Sequence, residues 1–187
     1  MDEKPIDSIE ELVKILPSCN AKDFIDLASR LNIPKEAFEP YATWSKEKYT
    51  RNCIDRGEGY ELLLLCWEEG LETPIHCHGG EECWVLMVEG TIKETRVKEQ
   101  NESLIVENKE TLEEGGISYM NDSMGFHSLQ NLKRGRSMSL HLYMNPIDQC
   151  RVYDEDKEDF VVKDLQYDTY KGEPVTEKAA SLESELK

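Results

Sequence analysis

In the first quarter of the chain, hydrophobic residues recur every three or four positions, a spacing typical of amphipathic helices. A first helix is predicted over residues 7–16, with Asp7 as its N-terminal cap. A second helix begins at Asn20. Pro34 suits the first turn of a third, which Pro40 ends or kinks.

From Tyr49 onward the period shortens to two, which is typical of half-buried β-strands. A hairpin is predicted first, with strands at Tyr49–Asp55 and Tyr60–Trp67 around a glycine-containing turn. Further strands, separated by clusters of Gly and Asn, are predicted near residues 74–78, 83–89, 91–97, 103–108, 117–120, 126–130, 137–143, 151–154 and 159–164. Short strands at this spacing predict a mainly β fold, a β-barrel or jelly roll with a short N-terminal helical cap.

Three regions follow from these patterns. Residues 1–48 are expected to form the helical cap packed on the barrel, and residues 49–170 the barrel that carries the functional site. Residues 171–187 are polar and are predicted to be a mobile C-terminal tail, whose last dozen residues are also compatible with a helix.

Charge and cysteine content narrow the function classes. The chain has 39 acidic and 22 basic residues, a net charge of −17, which argues against nucleic acid or an anionic membrane as a partner. No apolar run approaches the length of a membrane helix, and the acidic, amphipathic N-terminus is unlike a secretory signal. Six cysteines would allow disulfides in a secreted protein, but without an export signal we expect reduced thiols in the cytoplasm. The absence of a CxxC motif argues against the zinc-ribbon and thioredoxin-like classes. We expect a monomer.

The chain has four histidines, and all of them fall in predicted strands. His76 and His78 lie one residue apart, so both imidazoles share one strand face while Cys77 faces the other way. Two imidazoles on one face form a chelating pair, although many such pairs are ordinary surface residues. With His127 and His141 also in predicted sheet, we predict a metal site. Imidazole ligands suit zinc, nickel and copper as well as iron, and the general order of metal affinities favours those three over Fe(2+).

The clearest alternation in the chain is the segment SMSLHLY at residues 137–143. Ser139, His141 and Tyr143 share one face of the predicted strand, opposite three apolar side chains. An unpaired buried polar group costs about 1–3 kcal/mol, so this face needs partners. A cavity that holds a metal and a substrate would supply them; the alternative is a solvated face at the edge of the barrel.

Two separated motifs carry a family resemblance. The first reads Gly70-x5-His76-x-His78-x4-Cys83-x6-Gly90, and the second places Asn131 four residues after His127. Together they resemble the two-part cupin pattern, except that Cys83 occupies the position of the cupin Glu ligand. The segments KYTRN, LLCWEEG, IHCH, VEGTIKET, NDSMGFH and SLHLY closely resemble cysteine dioxygenase, the thiol dioxygenase of the cupin superfamily.

The resemblance implies a cupin-type barrel and an oxidoreductase in which His76, His78 and His127 hold Fe(2+). The implied reaction converts L-cysteine and O2 to cysteine sulfinate, a step of cysteine catabolism and taurine biosynthesis. Three neutral imidazoles leave the ion its full double charge and three open positions, which favours a thiolate ligand.

The resemblance also implies roles for the pocket residues. Arg51 would bind the substrate carboxylate with help from Tyr49 and Tyr143, and its presence in place of Gln points to cysteine rather than mercaptopropionate. An arginine in a surface salt bridge is the alternative.

Further roles implied by the family concern the strand at residues 137–143 and its neighbours. Tyr143, His141 and Cys83 are the expected catalytic groups, and Ser139, Trp67 and Cys150 are expected to support them. Cys83 and Tyr143 match a pair that forms a thioether crosslink, although Cys83 would equally suit a small buried apolar position.

Two other functions stay open at this stage. One is a dioxygenase for mercaptopropionate or cysteamine. The other is a non-catalytic metal-binding cupin that acts as a sensor.

Overall fold

A computed structural model describes residues 4–20, 23–101 and 103–175. Its helices are short and lie mainly in the first 41 residues: α1 Ile9–Ile15, α2 Phe24–Arg30 and the 3-10 segments Leu16–Ser18, Lys35–Tyr41 and Asp122–Met124. None of the helices in these ranges is long and apolar enough to cross a membrane.

The helix ends differ in part from those predicted. Ser8, not Asp7, caps α1, because its extended backbone lets its hydroxyl accept a hydrogen bond from the Glu11 amide at 3.1 Å. The third predicted helix is a 3-10 segment that begins one residue after Pro34 and contains Pro40. Because proline has no N–H group, this segment cannot form a regular α-helix.

The described residues contain twelve strands: β1 Thr50–Gly57, β2 Tyr60–Trp67, β3 Cys83–Glu89, β4 Thr91–Gln100, β5 Ser103–Glu113, β6 Ile117–Met120, β7 Phe126–Asn131, β8 Ser137–Tyr143, β9 Gln149–Asp154, β10 Asp159–Asp164, β11 Thr169–Tyr170 and β12 Glu173–Pro174. A seven-stranded sheet has the order β12-β11-β1-β2-β8-β3-β6. A three-stranded sheet has the order β5-β4-β7, and β9 and β10 form a hairpin.

Strand β2 shows how these layers pack. Leu62 and Leu64 face the helical cap, where they join one core with Phe24. Leu63 and Trp67 face the opposite way and pack with residues of the three-stranded sheet. Because both faces of β2 are buried, its sequence reads as a nearly continuous apolar run. The prediction of a mainly β, jelly-roll fold with a helical cap is confirmed.

The predicted strand at residues 74–78 is not a regular strand. His76 instead forms isolated bridges to His127 of β7 and Val152 of β9. Pro74 lacks an amide donor at one end, and Gly79 begins a turn with positive φ at the other, so a longer ladder cannot form. The segment is therefore a short connection held between two strands.

The sheet continues beyond the boundary expected for the tail. Strand β12 pairs with β11 in antiparallel register, so Glu173 and Pro174 belong to the large sheet. The helix that the sequence allows over the last dozen residues lies outside the described residues.

Candidate metal centre and substrate pocket

Three imidazoles meet between the bridged segment at His76 and strand β7. The ligand atoms of His76, His78 and His127 all lie within 4.8 Å of one another. His78 and His127 are buried and their Nε2 atoms are 3.0 Å apart, whereas His76 is half-buried. Two distant segments thus bring the three predicted ligands to one point.

Strand β6 is followed by a turn that holds the His78 loop in place. Asp122 accepts hydrogen bonds from the amide of His78 at 2.7 Å and from that of Gly80 at 2.8 Å. No role for Asp122 was predicted from the sequence. Its position in NDS, just before the segment with His127, was the only signal for it.

Two of the imidazoles are oriented through their Nδ1 atoms. His76 Nδ1 lies 3.0 Å from the carbonyl oxygen of Pro74, and His127 Nδ1 lies 2.7 Å from Glu94 Oε1. An Nδ1–H group that donates to an oxygen leaves the Nε2 lone pair free for a metal. Both rings therefore present Nε2 to the point where the three imidazoles meet.

Glu94 is almost fully buried on strand β4, and sequence reasoning missed it. Its carboxylate also accepts a hydrogen bond from Ser118 at 2.7 Å and lies 3.3 Å from Arg96. Burial would raise the pKa of Glu94, but the His127 and Ser118 hydrogen bonds and the Arg96 charge lower it to about 2. The sequence signal for a role of Glu94 was its charge at an inward-facing position of the strand, two residues after Ile92.

The protonation states fit a metal ion. Burial, followed by the charge of His127, lowers the pKa of His76 to about 3 and holds that of His78 well below its ordinary value. Both rings are therefore neutral at pH 7. His127 turns Nδ1 toward Glu94 and brings its Nε2 atom to 3.0 Å from His78 Nε2. Imidazole nitrogens gathered this closely form a donor set that fits a divalent transition metal.

Beside the imidazoles lies a small cavity lined by residues that the sequence singled out: Tyr49, Arg51, His76, His141, Tyr143 and Cys150. The Arg51 side chain is only 10% exposed. Its Nε and Nη2 atoms are buried and make no hydrogen bond within the described residues. A buried guanidinium with unused donors needs an anion to complete it.

A line of hydrogen bonds runs along the inner face of β8. Trp67 donates from Nε1 to Ser139 Oγ at 2.9 Å, and Ser139 Oγ lies 2.8 Å from His141 Nε2. The Trp67 ring also stacks on Tyr49, with ring centroids 4.9 Å apart. All members of the predicted polar face are buried, so it is not a solvated barrel edge.

Cys83 and Tyr143 are directly opposite each other on the adjacent strands β3 and β8. The Tyr143 ring also meets His78 edge-on, with centroids 5.7 Å apart. Burial raises the pKa of both the Cys83 thiol and the Tyr143 hydroxyl, so both groups are protonated at neutral pH. Tyr143 thus lies between a predicted metal ligand and a thiol.

The two remaining cysteines of this region pack together. Cys150 lines the cavity and shares a small buried cluster with Cys77 and Val152. Burial raises the pKa of Cys150 to about 11. The Cys77 sulfur accepts hydrogen bonds at 3.4 Å from the amides of Gly79 and Arg151, outside the group of ligand atoms.

The Glu94 contact leads to a first prediction. Glu94→Gln removes the charge that orients His127 while keeping the size of the side chain, and we expect the affinity for a divalent metal to fall about 10- to 100-fold. Competition with a chelator of known affinity measures this change. Glu99→Gln, on the exposed end of β4, is the control. Equal metal affinity in Glu94→Gln and the parent would contradict the role of Glu94.

Comparison with known proteins shows which proteins this chain resembles. The profile of the family "Cysteine dioxygenase type I" matches residues 5–156. Cysteine dioxygenase type 1 of Rattus norvegicus is 34% identical over 161 residues, which cover 79% of this chain and 80% of the relative. The Homo sapiens protein of the same name is 33% identical over the same shares. Among solved structures, the Cnp3 cupin domain of Schizosaccharomyces pombe aligns with a TM-score of 0.46 and 12% identity, over 57% of this chain and 66% of that one. The chain belongs to the cysteine dioxygenase type I family.

Proposed function

We propose that the protein oxidises L-cysteine with O2 to cysteine sulfinate, using Fe(2+) held by His76, His78 and His127. The observation that carries this proposal is the buried Arg51 guanidinium, whose unused donors line the same cavity as His76. Ferrous ion in this site would supply the one-electron chemistry that dioxygen requires and a charge that favours a thiolate ligand. The chain supplies binding and orientation.

Arg51 is the group that binds the substrate carboxylate. Its Nε and Nη2 donors form a planar fork that matches the two oxygens of a carboxylate. Tyr49 lines the same cavity, and its stacking on Trp67 holds it there. A carboxylate fixed at this end directs the thiol of a short amino acid toward the three imidazoles, which is a proximity effect.

Tyr143 and His141 are the groups that we assign to the reacting end. Burial, then the charge of His127, lowers the pKa of His141 far below its ordinary value, so the ring is neutral. Ser139 and Trp67 fix its orientation through the line of hydrogen bonds. The protonated Tyr143 hydroxyl is a donor for the sulfur or oxygen atoms that react, and Cys150 contributes to the cavity wall.

Oxygen uptake tests the proposal. Protein loaded with Fe(2+) under anaerobic conditions should consume one O2 for each cysteine sulfinate formed, and both oxygen atoms of labelled O2 should appear in the product. Protein loaded with Zn(2+) is the control. Iron-loaded protein that consumes no O2 with any small thiol would support the non-catalytic cupin instead.

Substrate choice follows from Arg51. Cysteamine lacks a carboxylate, so the two unused donors of Arg51 would stay unpaired in its complex. We therefore propose that cysteine is oxidised with a higher kcat/KM than cysteamine. Comparison with mercaptopropionate, which lacks the amine, tests the remaining alternative.

We also propose that Cys83 and Tyr143 form a thioether during turnover. In this step the Cys83 S–H bond and a ring C–H bond of Tyr143 next to the hydroxyl are replaced by one C–S bond, and O2 accepts the two electrons and two protons. Cys83 and Tyr143 are buried cross-strand partners, and this arrangement supports the proposed crosslink. Intact mass after turnover should fall by the mass of two hydrogen atoms, and the Cys83→Ala variant should show no change. An unchanged mass in the active parent would contradict the crosslink.

The setting that we propose is a cytoplasmic monomer in cysteine catabolism and taurine biosynthesis. All six cysteines are free thiols, which suits a reducing compartment. Every residue assigned to the site comes from one chain, so a second copy is not needed to complete it.

A further inference from the structure

A buried acidic side chain lies beside the proposed carboxylate-binding arginine. Glu61, on strand β2, is fully buried, and its Oε2 atom lies 3.8 Å from Arg51 Nη2. Its Oε1 atom lies 3.9 Å from Nη1 of a second arginine, Arg56. Neither Glu61 Oε2 nor Arg51 Nη2 has a hydrogen-bond partner among the described residues. The pair is therefore close enough to interact by charge but does not use up the donors of Arg51.

The segment after β10 fixes the other oxygen of Glu61. The Tyr167 hydroxyl donates to Glu61 Oε1 and accepts a hydrogen bond from Arg56 at 2.9 Å. Arg56 also donates to Asp148 at 2.9 Å, on the surface. Glu61 is thus held on one side by Tyr167 and Arg56 and faces Arg51 on the other.

Glu61 is ionised at neutral pH in this arrangement. Burial raises the pKa of its carboxyl group, whereas the Tyr167 hydrogen bond and the charges of Arg51 and Arg56 oppose that rise. Two guanidinium groups within 3.9 Å make the charged form favourable. A neutral Glu61 would leave the buried Arg51 cation without a balancing charge, whereas Arg56 would keep its ion pair with the exposed Asp148.

The three side chains sum to a single positive charge. Arg51 and Arg56 contribute one each and Glu61 removes one, so one substrate carboxylate makes the group neutral. Within this group Glu61 repels an incoming carboxylate, and Arg56 offsets that repulsion from the far side. The strength of binding at Arg51 therefore depends on both.

We propose that Glu61 and Arg56 are positioning residues that set the affinity of Arg51 for the substrate carboxylate. This inference rests on the proposed function, since it concerns the same pocket. The negative charge of Glu61 keeps the affinity moderate. The same charge also weakens binding of the product, which carries a sulfinate group in addition to its carboxylate.

The parent and three variants separate an effect of charge on substrate binding from general damage to the fold. Glu61→Gln brings the charge of the group to +2, Arg56→Gln brings it to 0, and the double variant returns it to +1. We expect the KM for L-cysteine to fall on the order of tenfold in Glu61→Gln and to rise on the order of tenfold in Arg56→Gln. The double variant should lie near the parent, and kcat should be unchanged throughout.

Damage to the fold would not produce this pattern, because a destabilised pocket raises KM in every variant. Cysteamine, which lacks the carboxylate, provides a further check: its inhibition constant against cysteine should not follow the order of the KM values. Asp148→Asn is the matched control, since it removes an exposed anion from the same Arg56. Its KM should equal that of the parent.

Anaerobic binding of L-cysteine to the iron-loaded protein keeps this test separate from that of the proposed function. The dissociation constants should show the same order as the KM values. If the dissociation constants of the parent and its variants follow this order but the parent consumes no O2, only the proposed function is overturned. A higher KM or dissociation constant in Glu61→Gln, or a double variant no closer to the parent than Arg56→Gln, would overturn the inference. Should Glu61→Gln not fold, an Arg56→Gln variant with unchanged affinity would overturn it as well.

Discussion

The His78→Ala variant is expected to lose its iron and, with it, cysteine oxidation down to the background rate. Two imidazoles would remain, and among the described residues the group of candidate ligands contains no fourth member to replace the missing nitrogen. His78 is the preferred ligand to remove, because its Nδ1 atom has no hydrogen-bond partner among the described residues. Its loss therefore leaves no buried carboxylate unpaired. Iron per chain after reconstitution and O2 uptake with cysteine measure the effect.

Removing His127 differs in one respect. His127→Ala also leaves the buried Glu94 carboxylate without its 2.7 Å partner, so we expect a loss of stability in addition to the loss of metal. His141→Gln is the contrasting variant, since His141 is not among the three clustered ligands. It should keep a full complement of iron while its turnover falls. A His78→Ala protein that retains one tightly bound iron would contradict the three-histidine site.

Arg51→Ala is expected to lower kcat/KM for cysteine on the order of 30-fold or more. Truncating one partner of a buried charge pair typically costs about 2–5 kcal/mol, and the substrate carboxylate would enter a dry cavity without its cation. Most of the loss should appear as a raised KM. The affinity for iron should be unchanged, because Arg51 is not among the ligands. Steady-state O2 uptake and metal analysis measure the two quantities.

The control for Arg51 is Arg151→Ala. Arg151 lies on β9 near the cavity, but it is exposed and packs over the rings of Phe126 and Phe160. Its removal should leave the KM for cysteine unchanged. Arg51→Ala should also bring the kcat/KM values of cysteine and cysteamine closer together, since only cysteine loses an interaction. Equal turnover of cysteine by Arg51→Ala and the parent would rule out the carboxylate role.

Local sequence patterns predicted the inward face of β8, the cluster of imidazoles and the family. The alternation in SMSLHLY predicted which side chains of β8 face the cavity, and the structure buries that whole face. The motifs around His76 and His127 predicted that three imidazoles come together and predicted the family. These predictions hold because strand period and ligand type are properties of neighbouring residues along the chain.

Other features depended either on partners that are distant in sequence or on backbone angles that residue types do not specify. The sequence placed residues 74–78 in a strand, but bridges to β7 and β9 and the proline and glycine around the segment limit it to a short connection. Ser8 rather than Asp7 caps α1, because the cap depends on the backbone angle of one residue. Patterns of residue type do not contain either kind of information.

The sequence by itself determined the fold class, the three imidazoles and the arginine that lines the neighbouring cavity. Only the tertiary structure decided that Glu94 orients His127 and that Glu61 lies between Arg51 and Arg56. Each of these acidic residues looks like one of many in a chain with 39 acidic side chains. Strand pairing buries these two beside particular cations and donors, and burial is what gives a single charge a large effect on its neighbours.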